Sequence, residues 1–540
     1  MAHNTGNGGD SRSESVGETP ETLLCELFAA VLELPTVDPR DSFAELGGDS
    51  IRAIVLTVRA RAAGLPIRTE DLLTEDTPER LAALAAIRSA RPAPATGDRF
   101  ERPVVDADRP RTLSPLQQHM LDVAGTYGAE TEVVQLYVDL SGDLDIARLR
   151  TAAQQLVRRH PSCRCRFRMD PSEGRWVREI DTDMPLPWRY HDLEEQEVDE
   201  DALLRDERVS RFDPTRSPLF RILLIRRGPE RYRLVVTHNN ILWDGWSAGI
   251  LAEELTLLYN APEEAAPDTP ADPYDDYLQW LSRQDRENAI HAWRKVLAGV
   301  KQPTLLMNAQ PPESIGSTAK IISTLPHSVG SALELRARDL GTTLSTAVQC
   351  AWGLTLAETI GSDDIVFGYT TCGRPAAVPS IDRAVGLLIN DVPVRMRIHT
   401  GDTPADLLTR LRDQHAEMTP YEFLDSDDIQ RAAGFVPLFD TLVVFQNLMR
   451  PEVSPEPGPD LHIDGYGIIE SIHYALVLYA YSRDRLSFEL SYHPNVFDRS
   501  FVDDLYARFR YHLELIAEGA DRDMTPSASG NMHGHRSYTQ

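Results

Sequence analysis

Residues 231–259, RYRLVVTHNNILWDGWSAGILAEELTLLY, change hydrophobic period halfway. RYRLVVTHN reads as a strand and SAGILAEELTLLY as a helix, so HNNILWDGWS (238–247) is the turn between them. That turn holds a histidine, an aspartate and a serine. GWSAG (245–249) matches the G-x-S-x-G pattern of a hydrolase nucleophile elbow, which makes Ser247 one candidate nucleophile. The mechanism also needs an acid and then a histidine further along; no later segment singles out such a pair, and Asp364, His473 and His493 stand only as candidates. The plainer alternative is that Ser247 caps the helix that follows. If the strand runs through residue 240, His238 shares a face with Asn240, about 6.6 Å away, and Asn239 points oppositely. One bridging water or a local bulge would let His238 act near residue 240, whereas a buried, hydrogen-bonded histidine is the structural alternative.

The rest of the chain sets the context for this turn. At 540 residues it divides into two or three domains. Its 83 acidic and 55 basic residues leave a formal charge of −28, which argues against non-specific nucleic-acid binding and against an anionic membrane. Five scattered cysteines, Cys25, Cys163, Cys165, Cys350 and Cys372, lack CxxC spacing and suggest a reducing compartment. The N-terminus has no apolar signal core, and no apolar run approaches the roughly 18 residues needed to span a bilayer. The expected location is cytoplasmic, with no membrane and no nucleic-acid partner.

Residues 1–19 and 521–540 are polar and are expected to be disordered tails, and the Pro-, Arg- and Asp-rich stretch 89–110 a linker. Between the first tail and the linker, residues 20–88 read as helices throughout. Leu24, Leu27, Phe28 and Val31 follow the helical period, and Thr77-Pro78 marks a helix start. After the linker, residues 111–520 alternate helix-like runs such as LRTAAQQLVRRH (149–160) with strand-like runs such as DIVFGYTT (364–371). This mixture predicts an α/β or α+β class in two lobes, roughly 111–285 and 286–520.

FAELGGDSIR (43–52) places Ser50 behind two glycines and an aspartate at the start of an amphipathic helix. Glycines clear the backbone of side chains there, and a helix N-terminus favours an attached anion through its free N–H groups and dipole. On those letters alone, Asp49 or Ser50 as a simple N-cap is the competing reading. With LLCELFAAVLELP before it and RAAGLPIRTEDLLTEDTPERLAALA after it, the block resembles the carrier protein domain of non-ribosomal peptide synthetases. The resemblance implies a four-helix bundle whose Ser50 carries 4′-phosphopantetheine, and hence a phosphopantetheinyl transferase as a partner.

Residues 111–518 resemble the condensation domain of the same synthetases. TLSPLQQHM, RHPSCRCRF (159–167), FDPTRSPLFRILL (212–224), the DGWS turn, DDIVFGYTTCGRP (363–375), VGLLINDVPVR (385–395) and LFDTLVVFQN (438–447) follow in family order. The resemblance implies a chloramphenicol acetyltransferase-like fold, with two lobes in a V and a tunnel between them. In the family motif H-H-x-x-x-D-G, Asp244 and Gly245 are kept, and both histidine positions fall on asparagines, Asn239 and Asn240. An imidazole accepts a proton near pH 7 and a carboxamide does not, so Asn240 can only orient a nucleophile or stabilise charge.

The resemblance also implies a loop-holding role for Asp244, with Arg164 expected as its partner, and structural roles for Ser114, Arg374 and Asn390. Trp243 stands where the family has a small residue and would either narrow the tunnel or pack at the surface. A D-x-x-x-x-D-x-x-S pattern marks the related heterocyclisation domains, and Asn239, Asp244 and Ser247 fit it with one substitution. Three readings therefore stay open: amide formation between the Ser50-bound acyl group and an external amine, cyclisation, and a degenerate module that only displays or gates its cargo. No P-loop and no adenylate-forming domain is present in the sequence, so an adenylation enzyme would load Ser50 in trans. The acceptor would be a free amine or one on a downstream carrier.

Overall fold

The computed structural model describes residues 19–90 and 113–519, together with residue 524. Within those spans, 33, 44, 47, 49, 74, 128–132, 173, 196–197, 262–272, 307–317, 447–460, 470–471, 473 and 483–484 lie outside the description. Two units separate, Met1–Gly97 and Asp98–Gln540. The expected tails and linker fall almost wholly outside the described residues.

In the first unit, α1 (Pro20–Leu32) turns Leu24, Phe28 and Val31 inward, as their spacing requires. It packs against α2 (Ser50–Ala62) and α3 (Pro78–Ala90). The remaining helical piece is a short 3-10 turn, Thr69–Leu73. Phe43, on the loop entering α2, packs edge-on against Phe28 with ring centroids 5.3 Å apart. Thr77 begins α3 as expected, its hydroxyl accepting from Arg80 N–H at 3.4 Å.

The second unit opens with α4 (Pro115–Tyr127), β1 (Val133–Gly142) and α5 (Ile146–Arg159). A hairpin of β2 (Cys165–Asp170) and β3 (Arg175–Ile180) follows, then β4 (Trp188–Asp192) and α6 (Glu200–Val209). Next come β5 (Phe220–Gly228), β6 (Arg231–Asn239) and α7 (Gly245–Asn260). After α8 (Pro273–Ser282) and α9 (Arg286–Leu297) the chain forms β7 (Ala319–Thr324), α10 (His327–Asp339), α11 (Leu344–Ile360) and β8 (Asp364–Thr371). It continues through β9 (Asn390–Arg397), α12 (Pro404–Met418), α13 (Ser426–Ala433), β10 (Thr441–Gln446) and β11 (Leu461–Ile469). The last elements are β12 (Leu476–Ser482), β13 (Leu486–Tyr492) and α14 (Arg499–Glu518).

Two sheets organise these elements, one in the order β11-β1-β6-β5-β4 and one in the order β7-β13-β12-β10-β8-β9. The first sheet packs α5 and α7 over Leu149, Phe220, Leu224 and Ile250. The second is built around α11, which is apolar on every side and buried along most of its length, as that composition demands. Trp352 of α11 meets Phe509 of α14 edge-on at 5.9 Å.

The division at residue 285 is not clean. Strand β11 lies in the second half of the chain and pairs antiparallel with β1 in the first sheet. Val385 and Leu387 likewise belong to the first lobe's apolar core. A lobe must cover its sheet edge and fill its core, and here the chain does both with segments that return from the other half. The second expected tail also needs correction at its start: Met524 is buried, and its N–H donates to Asp402 O at 2.9 Å.

Candidate functional site

Strand β6 stops at Asn239, one residue earlier than the alternation reading required. The Asn239 side-chain oxygen accepts from Ile241 N–H at 3.1 Å and its backbone oxygen accepts from Leu242 N–H at 3.1 Å, which bends the chain into a turn. Asn240 is therefore a half-buried turn residue and shares no strand face with His238. Gln117 fixes the same turn from outside, donating to Ile241 O at 2.9 Å. Its own position comes from a reciprocal cap on α4, in which Ser114 Oγ accepts from Gln117 N–H and Gln117 Oε1 accepts from Ser114 N–H. Sequence reading passed over Gln117, although S-x-x-Q at a helix start was the available signal.

His238 is 2% exposed. Its ring lies 4.6 Å from the Trp243 ring, and Nδ1 donates to the Asn239 carbonyl at 3.1 Å. Burial pushes its pKa down to about 4, so the ring is neutral at pH 7 and a weak proton acceptor. Trp243 is not at the surface: it packs on Phe220 and His238 inside the first lobe's core.

Asp244 is where the loop is held. It N-caps α7 by accepting from Ser247 N–H at 2.8 Å, so the cap is Asp244 rather than Ser247. Its partner is Arg374, correcting the expected Arg164. The guanidinium of Arg374 grips both carboxylate oxygens at 3.1 Å, and both side chains are 0% exposed. Arg164 instead donates to the carbonyls of Val157, Arg158 and Asp181. The first two lie in the last turn of α5, where carbonyls lack helical partners and a cation is favoured by the dipole, so Arg164 has a nearer target than Asp244.

The strap Ala384–Ile389 closes the network from the other half of the chain. Leu388 N–H donates to Asp244 Oδ2 at 3.1 Å, and Asp244 N–H donates to Gly386 O at 3.1 Å. Ser247 Oγ stands 2.8 Å from Asp244 Oδ1 and 2.9 Å from Gly386 O, and accepts from Arg374 and from Gly386 N–H. Only glycine fits at 386, since a Cβ there would lie 2.3 Å from the Tyr274 ring. Tyr274 in turn donates to Leu387 O at 3.2 Å.

This wiring leaves Ser247 fully buried and bound to a carboxylate instead of a histidine. The acid and histidine considered with it are elsewhere: Asp364 is gripped by Arg395, and His493 faces Ile472 O at 3.2 Å. His473 lies outside the described residues. Asn390, expected to be structural, donates to Glu422 O and Leu424 O at 2.7 Å each. Among the described residues no cluster of three or more His, Cys, Asp or Glu could hold a metal, and no helix is long and apolar enough to cross a membrane.

In the first unit Ser50 is the first residue of α2, while Gly47 and Asp49 lie outside the described residues. A Cβ on Gly48 would lie 2.3 Å from the Phe43 ring, so glycine there lets that ring pack against the backbone two residues before Ser50.

A helical unit with a serine opening a helix, followed by a two-lobed α/β body with a buried aspartate–arginine loop, is the architecture expected of a carrier domain in front of a condensation domain. The comparisons agree. The chain matches the condensation domain family over residues 109–525 and the phosphopantetheine attachment site family over residues 22–85. It belongs to the condensation domain family, with a phosphopantetheine carrier domain in front. It is 29% identical over 426 residues to surfactin synthase subunit 3 of Bacillus subtilis (strain 168), covering 76% of this chain and 33% of that protein. It is 28% identical over 400 residues to bacitracin synthase 3 of Bacillus licheniformis, covering 71% of this chain and 6% of that one. The chain thus spans a third or less of the length of these two relatives. Among solved structures, the first condensation domain of the calcium-dependent antibiotic synthetase aligns with a TM-score of 0.64 at 18% identity, over 78% of this chain and 99% of that one. The X-domain from teicoplanin biosynthesis aligns with a TM-score of 0.66 at 20% identity, over 78% and 98%.

Proposed function

We propose that this chain is a non-ribosomal peptide synthetase didomain that transfers an acyl or aminoacyl group from Ser50 to an external amine, forming an amide without a general base of its own. The residues around Ser50 fit 4′-phosphopantetheine: Ser50 opens α2, and a helix N-terminus favours the phosphodiester. Attached there, that group supplies a thiol that holds the acyl group as a thioester. A phosphopantetheinyl transferase would install it, an adenylation enzyme would load it in trans, and the acceptor would be a free amine or one on a downstream carrier.

The observation that carries the base-free reading is a loop held in full beside a missing proton acceptor. Asp244, Arg374, Ser247 and Leu388 fix the turn. Asn239 and Asn240 cannot take a proton, and His238 is buried, neutral and committed at Nδ1. What remains is placement. Holding an already neutral amine against a thioester can contribute up to about 7–11 kcal/mol of barrier reduction. The N–C bond forms as the C–S bond breaks, and the amine proton leaves to solvent. Cyclodehydration is less well supported, because Asp244 and Ser247, two of its three motif positions, are consumed in the buried network.

The test loads Ser50 with candidate aminoacyl groups, adds candidate amines and follows product by mass spectrometry in wild type, Asn240→Ala and His238→Ala. A free acyl-pantetheine thioester gives the spontaneous rate. Product above that rate is expected, rising with pH as the amine deprotonates, with most of the activity retained in His238→Ala. An inflection of the pH–rate profile that His238→Ala abolishes would overturn the base-free mechanism. No product above the spontaneous rate across the panel would favour a module that only displays its cargo.

A further inference from the structure

At one end of the first sheet, between β11, β1, β6 and β5, a cavity of about 250 Å³ is lined by Asp139, Leu140, Arg227, Arg231, Tyr232 and Asp464. That volume is below the range of pockets for drug-sized molecules and suits a ligand of about one amino acid. Most of the charge around it is already matched. Asp139 accepts from Arg233 Nε at 2.7 Å and from Nη2 at 2.8 Å, while Arg227 donates to Glu200 of α6 at 2.9 Å and to Asp139 at 3.3 Å. Arg231 and Asp464 are left over, with opposite charges.

Each is placed by its own local device. Arg231 follows the tight turn between β5 and β6, and its guanidinium lies along Gly228, where a Cβ would stand 3.3 Å from Nη2. Among the described residues that guanidinium has no hydrogen-bond or ion-pair partner. Asp464 is the extra residue of a bulge: Asp139 pairs with Gly465 and Leu140 with Ile463, which leaves Asp464 with nothing opposite it on β1. A bulge re-aims the side chain it inserts. Ser141 Oγ donates to Asp464 Oδ1 at 2.8 Å, and among the described residues no cation pairs with this carboxylate. Ser141 is also the cross-strand neighbour of Arg231, so the two charges flank one residue, on strands about 10 Å apart. One small molecule can meet both.

A lone anion would face Asp464 and a lone cation would face Arg227 and Arg231, whereas a ligand carrying both charges suits both sides of the cavity. A guanidinium grips a carboxylate through two parallel N–H bonds, and an ammonium brings three donors to a carboxylate that keeps an oxygen open. We propose that this cavity binds the zwitterionic head group of a free α-amino acid, with its carboxylate on Arg231 and its ammonium on Asp464. The site is separate from the loop at Asp244, since Arg231 opens β6 and the loop follows its other end at Asn239, about 26 Å of strand away. It therefore does not rest on the acyl-transfer reading.

The experiment is equilibrium binding, by calorimetry, of L-alanine, propionate and ethylammonium to the full chain and to Arg231→Gln and Asp464→Asn. Propionate is L-alanine without its ammonium, and ethylammonium is L-alanine without its carboxylate. Both residues are exposed, so the variants should fold, which circular dichroism checks. The wild type should bind L-alanine tighter than either single-charge probe by about fivefold or more, the scale of a well-formed exposed ion pair. Asp464→Asn should bind L-alanine no better than propionate, and Arg231→Gln should bind it no better than ethylammonium. No saturable binding of L-alanine, equal binding of the three probes, or an unchanged L-alanine affinity in either variant would overturn the site. Because the readout needs no acyl transfer, a didomain that makes no product can still pass it, and one that makes product can still fail it.

Discussion

Two aspartates in the same unit, one fully buried and one half-buried, are treated oppositely. Asp244 has its charge matched by a bidentate arginine and its oxygens occupied by Ser247 and Leu388. Asp391 sits behind two hydroxyls with no cation among its described partners. A fully paired carboxylate holds structure, since removing either partner strands the other in a low-dielectric interior. An unbalanced one costs stability at neutral pH.

This contrast predicts effects of opposite sign. Arg374→Ala should be the most damaging substitution, costing about 3–5 kcal/mol by urea unfolding because Asp244 is left buried and unpaired. Less than about 1 kcal/mol would mean that Asp244 finds another partner and the network is not what holds the loop. Gly386→Ala should cost about 1–3 kcal/mol, since its methyl group must displace the Tyr274 ring and carry the strap with it. Loss of the Leu388–Asp244 hydrogen bond should then appear as faster amide exchange at Leu388.

Asp391→Asn should instead stabilise the protein by about 0.5–2 kcal/mol. The pH dependence sharpens the point. The folded-state pKa of Asp391 is raised, so the folded state holds this proton more tightly than the unfolded chain does. Wild-type stability therefore falls as pH rises through the window from the ordinary carboxylate value up to the folded one. The advantage of Asp391→Asn should be full above that window and vanish below it; an advantage that stays constant with pH would show that Asp391 does not bear the unbalanced charge. The smallest effect belongs to Arg164→Ala, at about 1 kcal/mol or below, because its guanidinium serves carbonyls at the end of α5. If Arg164→Ala matched Arg374→Ala in cost, the assignment of Arg374 as the partner of Asp244 would fail.

Much of this protein was legible before any fold was drawn. The helical period of α1 and the strand-like run RYRLVVTHN of β6 each reflect a local rule, so strand, turn and helix around HNNILWDGWS could be placed from the letters. The family order of seven segments and the GGDS turn at Ser50 likewise belong to the sequence, and so does the chemical fact that Asn239 and Asn240 cannot accept a proton.

What the sequence could not rank was competition among distant partners. Arg164 and Arg374 were both named, 80 and 130 residues from Asp244, and only packing decided that the first finds nearer carbonyls while the second is carried by the segment before β9 into the loop. The same holds for β11 and the strap Ala384–Ile389, which cross from one half of the chain to complete the other's sheet and core. His238 became a neutral core residue, Trp243 its covering ring, and Asp391 a carboxylate held by two hydroxyls, for one reason. Burial and ionisation depend on what surrounds a side chain in three dimensions, and period and spacing describe only its neighbours along the chain.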